Sequence, residues 1–175
     1  MPRFFYLRLH MIAFYEVDKQ YADYLRTYES KVPQIQYEGK SKFVCGVVLV
    51  VNDCTYFAPI SSQKDRQQTN IQITDKSGMV LSTIRFAYMF PAPIDILQKM
   101  DFHKVQETDP RYASLLQKEY EFCRAHEAQI CEKARKVYEI GCNPDHVLNR
   151  YCCDFRLLEE KRKEYFQQLM DSANI

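Results

Sequence analysis

The sequence predicts an α+β fold on three observations. Short β-branched and aromatic segments, separated by turn signals, fill the first half of the chain. Apolar residues at helical spacing fill the second half. Strands and helices do not alternate in the way that builds parallel βαβ units. The chain is 175 residues long with no repeat and no low-complexity linker, so one domain over 1–175 is expected.

Residues 3–17 alternate as a strand would, and Met11 offers a second place for the domain to begin, so 1–10 reads as an N-terminal extension. Asp18 is placed to cap a helix over 19–30, with Tyr21, Tyr24, Leu25 and Tyr28 on its apolar face. Lys31-Val32-Pro33 ends that helix, because residues before proline resist the helical region. A polar loop runs through Tyr37, Gly39 and Lys42, and the continuous apolar run 43–51 then reads as a buried strand. Asn52-Asp53 supplies a turn, and 55–58 returns as the partner strand, stopped by Pro59. The polar stretch 60–70 reads as a surface loop. A second hairpin is expected from 71–74 and 79–85 around Asp75-Lys76-Ser77-Gly78, and 90–93 is extended without joining a central ladder fully. Asp109-Pro110 opens a helix. Its pattern runs through Tyr112, Leu115, Leu116, Tyr120, Ile130, Ala134 and Val137 to a stop near Gly141. Asp154 opens a last helix, with Phe155, Leu157, Leu158, Tyr165 and Leu169 available for packing and Lys161, Arg162 and Lys163 outside.

Composition excludes several functions. Lys and Arg total 24 against 23 acidic residues, so any nucleic-acid site is a local cluster of basic groups and not a general polyanion-binding coat. Tyr and Phe are plentiful and Trp is absent; exposed rings can stack on unpaired bases, although most fill the core. The seven Cys are odd in number and form no Cys-x-x-Cys pair, which fits free thiols in a reducing compartment. Adjacent Cys152 and Cys153 are poorly spaced for zinc and no His-Glu-x-x-His occurs, so no metal and no cofactor is expected. No apolar stretch reaches membrane-spanning length, and 1–10 lacks a secretory pattern, which makes the cytoplasm the expected location. With only four Gly there is no glycine-rich phosphate loop, and the Gly-x-Ser-x-Gly nucleophile turn is missing.

What remains is a basic and hydroxylic group at the ends of the first hairpin. Lys42 precedes the first buried strand, and Ser61, Ser62 and Lys64 follow its partner. Antiparallel pairing across Asn52-Asp53 brings these ends together. Ammonium groups can stabilise charge on a phosphorane-like transition state while hydroxyls position its oxygens. RNA carries its own nucleophile in the 2′-OH. Spacing alone does not separate a scissile phosphate from another anion, and such residues are also ordinary surface chemistry.

Four stretches make the chain resemble the ToxN and AbiQ toxins of type III toxin–antitoxin systems. They are Phe14-Tyr15 with Tyr21-Ala22-Asp23-Tyr24-Leu25 and Lys31-Val32-Pro33; Lys42-Phe43-Val44-Cys45-Gly46-Val47-Val48-Leu49; Tyr56-Phe57-Ala58-Pro59-Ile60-Ser61-Ser62-Gln63-Lys64; and Phe155-Arg156-Leu157-Leu158-Glu159-Glu160-Lys161. The likeness covers 11–166 in matching order. It implies a compact, strongly twisted antiparallel sheet like that of the Kid/MazF toxins, surrounded by helices, with long helices in the C-terminal half. It also implies a bacterial endoribonuclease that needs no metal and leaves 2′,3′-cyclic phosphate and 5′-hydroxyl ends on cellular or phage mRNA. The implied inhibitor is a small repeat RNA, folded as a pseudoknot, which the toxin processes and holds in a closed protein–RNA assembly. The family's roles are abortive phage infection and plasmid maintenance, with neither membrane nor DNA as partner.

By the same resemblance Lys42 is the catalytic lysine, and Ser61 and Ser62 hold phosphate oxygens or the 2′-OH. Lys64 is a groove lysine. Tyr37 corresponds to a site tyrosine, one residue further from the lysine than in the family pattern. Lys31, Lys40, Arg66, Arg85, Lys161 and Lys163 are candidates for antitoxin contact. Tyr56 and Phe122 are candidates for base stacking, with a core role favoured for Phe122. Two other readings stay open: a non-catalytic RNA-binding module using the same groove, and a structural or inhibitor domain that meets no nucleic acid.

Overall fold

The central hairpin organises the molecule. In a computed structural model describing residues 12–37 and 40–173, β4 (Val44–Val51) and β5 (Cys54–Ser61) pair through a two-residue turn that sets Val51 opposite Cys54. Asn52 and Asp53 hold φ of 49° and 59°, the left-handed geometry that matches the twist of a tight hairpin and that short amide and carboxylate side chains tolerate. The register shifts between Cys45 and Leu49. Gly46 lies at the start of that shift, where the Phe57 ring fills the space a Cβ would need.

Around the hairpin are β1 (Ala13–Val17), β6 (Asn70–Thr74), β7 (Val80–Arg85), β8 (Phe90–Pro91) and β9 (Leu97–Lys99). The antiparallel sheet runs β6-β7-β5-β4-β1-β9, with β8 on β5. Before the hairpin, β2 (Gln36–Tyr37) and β3 (Lys40–Ser41) pair with each other.

Two sequence expectations change along β5. Pro59 does not stop β5, because the strand changes partner there: Val44 faces Pro59, and Ile60 and Ser61 then pair with Ile84 and Thr83 of β7. A proline lacks only its own N–H, so a strand can continue past it where the ladder hands over. Ile60 and Ser61 are therefore strand residues, not loop. The expected strand over 3–17 is described only as Ala13–Val17, and the rest of that expectation lies outside the described residues.

The helices are α1 (Lys19–Tyr28), α2 (Phe102–Thr108), α3 (Pro110–Ala125), α4 (Glu127–Gly141) and α5 (Phe155–Ala173). Asp18 caps α1 by accepting from the Tyr21 N–H at 2.9 Å, and Asp109 caps α3 by accepting from the Tyr112 N–H at 3.0 Å. The helical pattern expected to run unbroken to Gly141 divides at His126 (φ −117°). There the imidazole stacks on Phe122 at 4.0 Å and its Nδ1 lies 2.8 Å from the Phe122 carbonyl. On the far side of the break, buried Glu127 accepts from the Ile12 N–H at 3.3 Å. Neither contact has a local sequence signal.

Aromatic rings from both halves fill one buried cluster that joins the sheet to α1, α3, α4 and α5. Tyr21 is buried against Tyr165, and its hydroxyl donates to the Pro91 carbonyl at 2.5 Å. Tyr28 and Leu169, expected on packing faces, are 46% and 47% exposed. Arg162, expected outside, is half-buried and points Nη1 at Cys54 Sγ. At the turn end of the hairpin, Tyr56 and Tyr138 donate to Glu159 Oε1 at 2.9 and 2.7 Å, and Asn52 reaches Tyr138 and Glu159. Among the described residues, no helix is long and apolar enough to cross a membrane.

Candidate active site

The open end of the hairpin lies opposite that polar network. Continuing the Val44–Pro59 register outward sets Lys42 across from Ser61. The Lys42 N–H donates to the Ile35 carbonyl at 2.8 Å, which ties the approach to β4 to the preceding loop. Lys42, Ser61 and Ser62 line one pocket of about 430 Å³. Lys42 and Ser62 are exposed and Ser61 is half-buried, so these groups form its rim.

The loop after β5 folds back on the rim. Gln63 donates its N–H to Ser61 Oγ at 3.2 Å, which leaves the serine O–H free to donate outward. The Gln63 carbonyl accepts from Thr83 Oγ1 at 2.8 Å, and its side-chain oxygen accepts from Arg85 at 2.6 Å. Arg85 also lies over the Tyr88 ring at 4.5 Å. A planar guanidinium held by one amide and one ring is oriented before any ligand arrives.

Lys31 and Arg85 line the same pocket. The Lys31 ammonium itself donates to the Cys152 carbonyl at 2.8 Å and lies 3.7 Å from Glu29, so this residue anchors the loop while adding positive potential. Lys64 is exposed in the adjoining loop and is not among the lining residues; its carbonyl accepts from Gln72 at 2.7 Å. Tyr37 and Lys40 pair through their backbones in β2 and β3, and their side chains lie outside the described residues. Arg66 borders a separate groove of about 720 Å³ together with Lys133, Lys136, Phe122 and His126. Phe122 is half-buried, stacked on His126 and packed against the core. On α5, Lys161 keeps only 16% of its side chain exposed; it pairs with Glu164 at 2.8 Å and lies over the Tyr28 ring. Lys163 is exposed. Neither α5 lysine lines the pocket.

Tyr56 needs correction as a base-stacking candidate. It is fully buried, edge-on to Tyr138 and Phe155, and burial with the neighbouring Glu159 carboxylate holds its hydroxyl well above the usual phenol range. The ring therefore has no exposed face to offer a base.

Among the pocket residues that sequence reasoning did not place at the site are Ser82, Tyr88, Tyr112 and Glu119. Burial pushes the Tyr112 hydroxyl up to about 12, with the Glu119 and Asp109 carboxylates adding to the shift. Burial likewise raises the Glu119 carboxyl above its ordinary range, opposed by the nearby Ser82 hydroxyl. One signal for Glu119 was present: it continues the apolar stripe Tyr112, Leu116 and Cys123 at helical spacing, where a charged residue is out of place.

The family described as toxin ToxN of type III toxin–antitoxin systems matches residues 13–163. The endoribonuclease ToxN of Bacillus thuringiensis subsp. kurstaki is 31% identical, over 87% of this chain and 83% of that protein. The endoribonuclease AbiQ of Lactococcus lactis subsp. lactis is 28% identical, over 94% of this chain and 96% of that protein. A solved toxin chain, from work on type III systems and inhibition by a non-coding RNA pseudoknot, superposes with a TM-score of 0.82 at 30% identity, covering 89% of this chain and 98% of that one. Solved AbiQ, a lactococcal anti-phage endoribonuclease, gives a TM-score of 0.78 at 27% identity, covering 90% of this chain and 99% of that one. The match to nearly the whole chain, on the same α+β architecture, means that this chain belongs to the ToxN family of type III toxins.

Proposed function

We propose that this chain is an endoribonuclease toxin, built as a single domain, that cuts RNA at the Lys42 rim and is held inactive by a pseudoknot-forming repeat RNA. The observation that carries the reading is the shared pocket of Lys42, Ser61 and Ser62. The 2′-oxygen forms a bond to the adjacent phosphorus as its proton leaves, and the bond from phosphorus to the 5′-oxygen breaks as that oxygen takes up a proton. A 2′,3′-cyclic phosphate and a 5′-hydroxyl result. The Lys42 ammonium faces the charge that builds on the non-bridging oxygens. Ser61, with its O–H left to donate, and Ser62 hold those oxygens in line. Lys64 in the adjoining loop and Tyr37 on β2 extend the site, and Lys31, Lys40, Arg66, Arg85, Lys161 and Lys163 supply positive potential to the antitoxin or substrate RNA. A reducing bacterial cytoplasm fits seven free thiols, all buried or half-buried.

The test is incubation of purified protein with long RNA in excess chelator, followed by analysis of the new ends. Cyclic phosphates are expected. Lys42→Ala should lower the cleavage rate by roughly 10²–10³-fold, the usual loss for one oxyanion-stabilising donor, while the variant still melts as a folded protein. Tight RNA binding with no new ends would instead make the protein a non-catalytic RNA-binding module.

A further inference from the structure

Below its cationic rim the pocket changes character. The Phe43 and Tyr112 rings lie 6.5 Å apart with planes 25° from parallel, and Leu116 is buried behind them. Two polar side chains are set into this apolar wall: Glu119 on α3, 3% exposed, and Ser82 on β7, 2% exposed. Neither takes part in the phosphate chemistry above.

Other covered carboxylates of the molecule have evident structural work. Glu29 accepts from the Lys31 and Asp154 N–H groups, Glu127 from the Ile12 N–H, and Glu159 from two tyrosines. Beside Glu119 stands the Ser82 hydroxyl, which favours its ionised form. Ser82 Oγ in turn has no well-formed hydrogen bond among the described residues. Buried polar groups are nearly always satisfied, and leaving a buried hydroxyl without a full partner is costly. That hydroxyl and the buried carboxyl beside it, both lining one aromatic-walled pocket, point to a ligand that brings its own donors and acceptors.

We propose that Glu119 and Ser82 form a nucleobase subsite beside the Lys42 rim. The base next to the scissile phosphate packs on Phe43 and Tyr112. It donates a ring or exocyclic N–H to Glu119 and presents an adjacent ring acceptor to the Ser82 hydroxyl. A phosphate does not belong at this depth, because an acidic side chain repels it while the cations wait at the rim. A pocket of about 430 Å³ accommodates one base. The inference rests on the endoribonuclease reading for the phosphate, but base recognition is measurable without cutting.

The experiment titrates the four nucleoside 3′-monophosphates and inorganic phosphate into the full chain, followed by calorimetry or NMR. Wild type should rank the four nucleotides over roughly a ten- to hundred-fold range, the scale of one hydrogen bond to a charged group. Glu119→Gln should flatten or reorder the ranking, Ser82→Ala should weaken the preferred nucleotide, and inorganic phosphate should bind all three proteins alike. Equal binding of all four nucleotides by wild type overturns the subsite. An unchanged ranking in Glu119→Gln also overturns it. Should that variant fail to fold, Ser82→Ala decides, because it removes a single hydroxyl. The two readings separate cleanly: ranked binding by a protein that leaves RNA intact sinks the nuclease and keeps the subsite. Cleavage with no base preference beside the cut, and no ranking, does the reverse.

Discussion

At the residue scale, Glu119 carries a cost that depends on pH. Burial raises its carboxyl above the ordinary value of 4.5. Relative to the unfolded chain, the fold therefore shifts this carboxyl toward its protonated form. Its stabilising contribution is fully present below the ordinary carboxyl range and is lost as pH rises through the raised value. Glu119→Gln should accordingly melt higher than wild type at pH 8 and show much less gain at pH 4, by calorimetry; equal gains at both pH values would contradict a buried anion. Gly46 is constrained sterically. A Cβ there would fall on the Phe57 ring, so Gly46→Ala should lose about 1–3 kcal/mol, the usual cost of overpacking, read from the urea midpoint. Lys42 and the serine pair were legible as a cluster because a two-residue turn sets the register of everything after it. The sequence favoured a core role for Phe122 and not for Tyr56, whereas the structure buries Tyr56 the more deeply of the two. Strand and helix periodicity say which way a ring points, but not whether another element covers it.

At the scale of elements, Glu29 links the end of α1 to the head of α5. Its carboxylate accepts from the Lys31 N–H at 3.0 Å and the Asp154 N–H at 2.9 Å, and the Lys31 ammonium closes the link on the Cys152 carbonyl. Removing one partner of a buried charged hydrogen bond costs about 1.5–3 kcal/mol. Glu29→Ala should therefore destabilise by about that amount and speed amide exchange at Lys31 and Asp154. Unchanged exchange there would show that the link carries no load. At the hairpin turn, Asn52 combines a positive φ with side-chain bonds to Tyr138 and Glu159. Ala loses both the bonds and the conformational ease, whereas Gly loses only the bonds. Asn52→Ala should thus be less stable than Asn52→Gly by about 1–2 kcal/mol in chemical denaturation. The caps at Asp18 and Asp109 were readable because capping is local. The break at His126 and the short strand Leu97–Lys99 involve contacts between distant segments, whereas helix α2 does start on a local cap, Asp101, which accepts from the His103 and Lys104 N–H groups.

For the whole molecule, a formal net charge of +1 conceals a segregated surface. Lys31, Lys42 and Arg85 gather on one pocket, and Arg66, Lys133 and Lys136 on another groove. RNA affinity should fall linearly with the logarithm of salt concentration, and Arg66→Ala should reduce the slope by roughly 0.7 if it neutralises one phosphate. A salt-independent Kd would rule out an electrostatic groove. The sequence alone determined the α+β class, the central hairpin with its turn, the two aspartate caps, and the lysine and serines that converge at the hairpin's open end. Each follows from local backbone chemistry or from register, which propagates along paired strands. Only the tertiary structure decided which rings are sealed, which cations are already engaged, and that a buried glutamate and serine stand in the pocket wall. Burial is a property of what packs on top of a residue, and those covering residues come from remote parts of the chain.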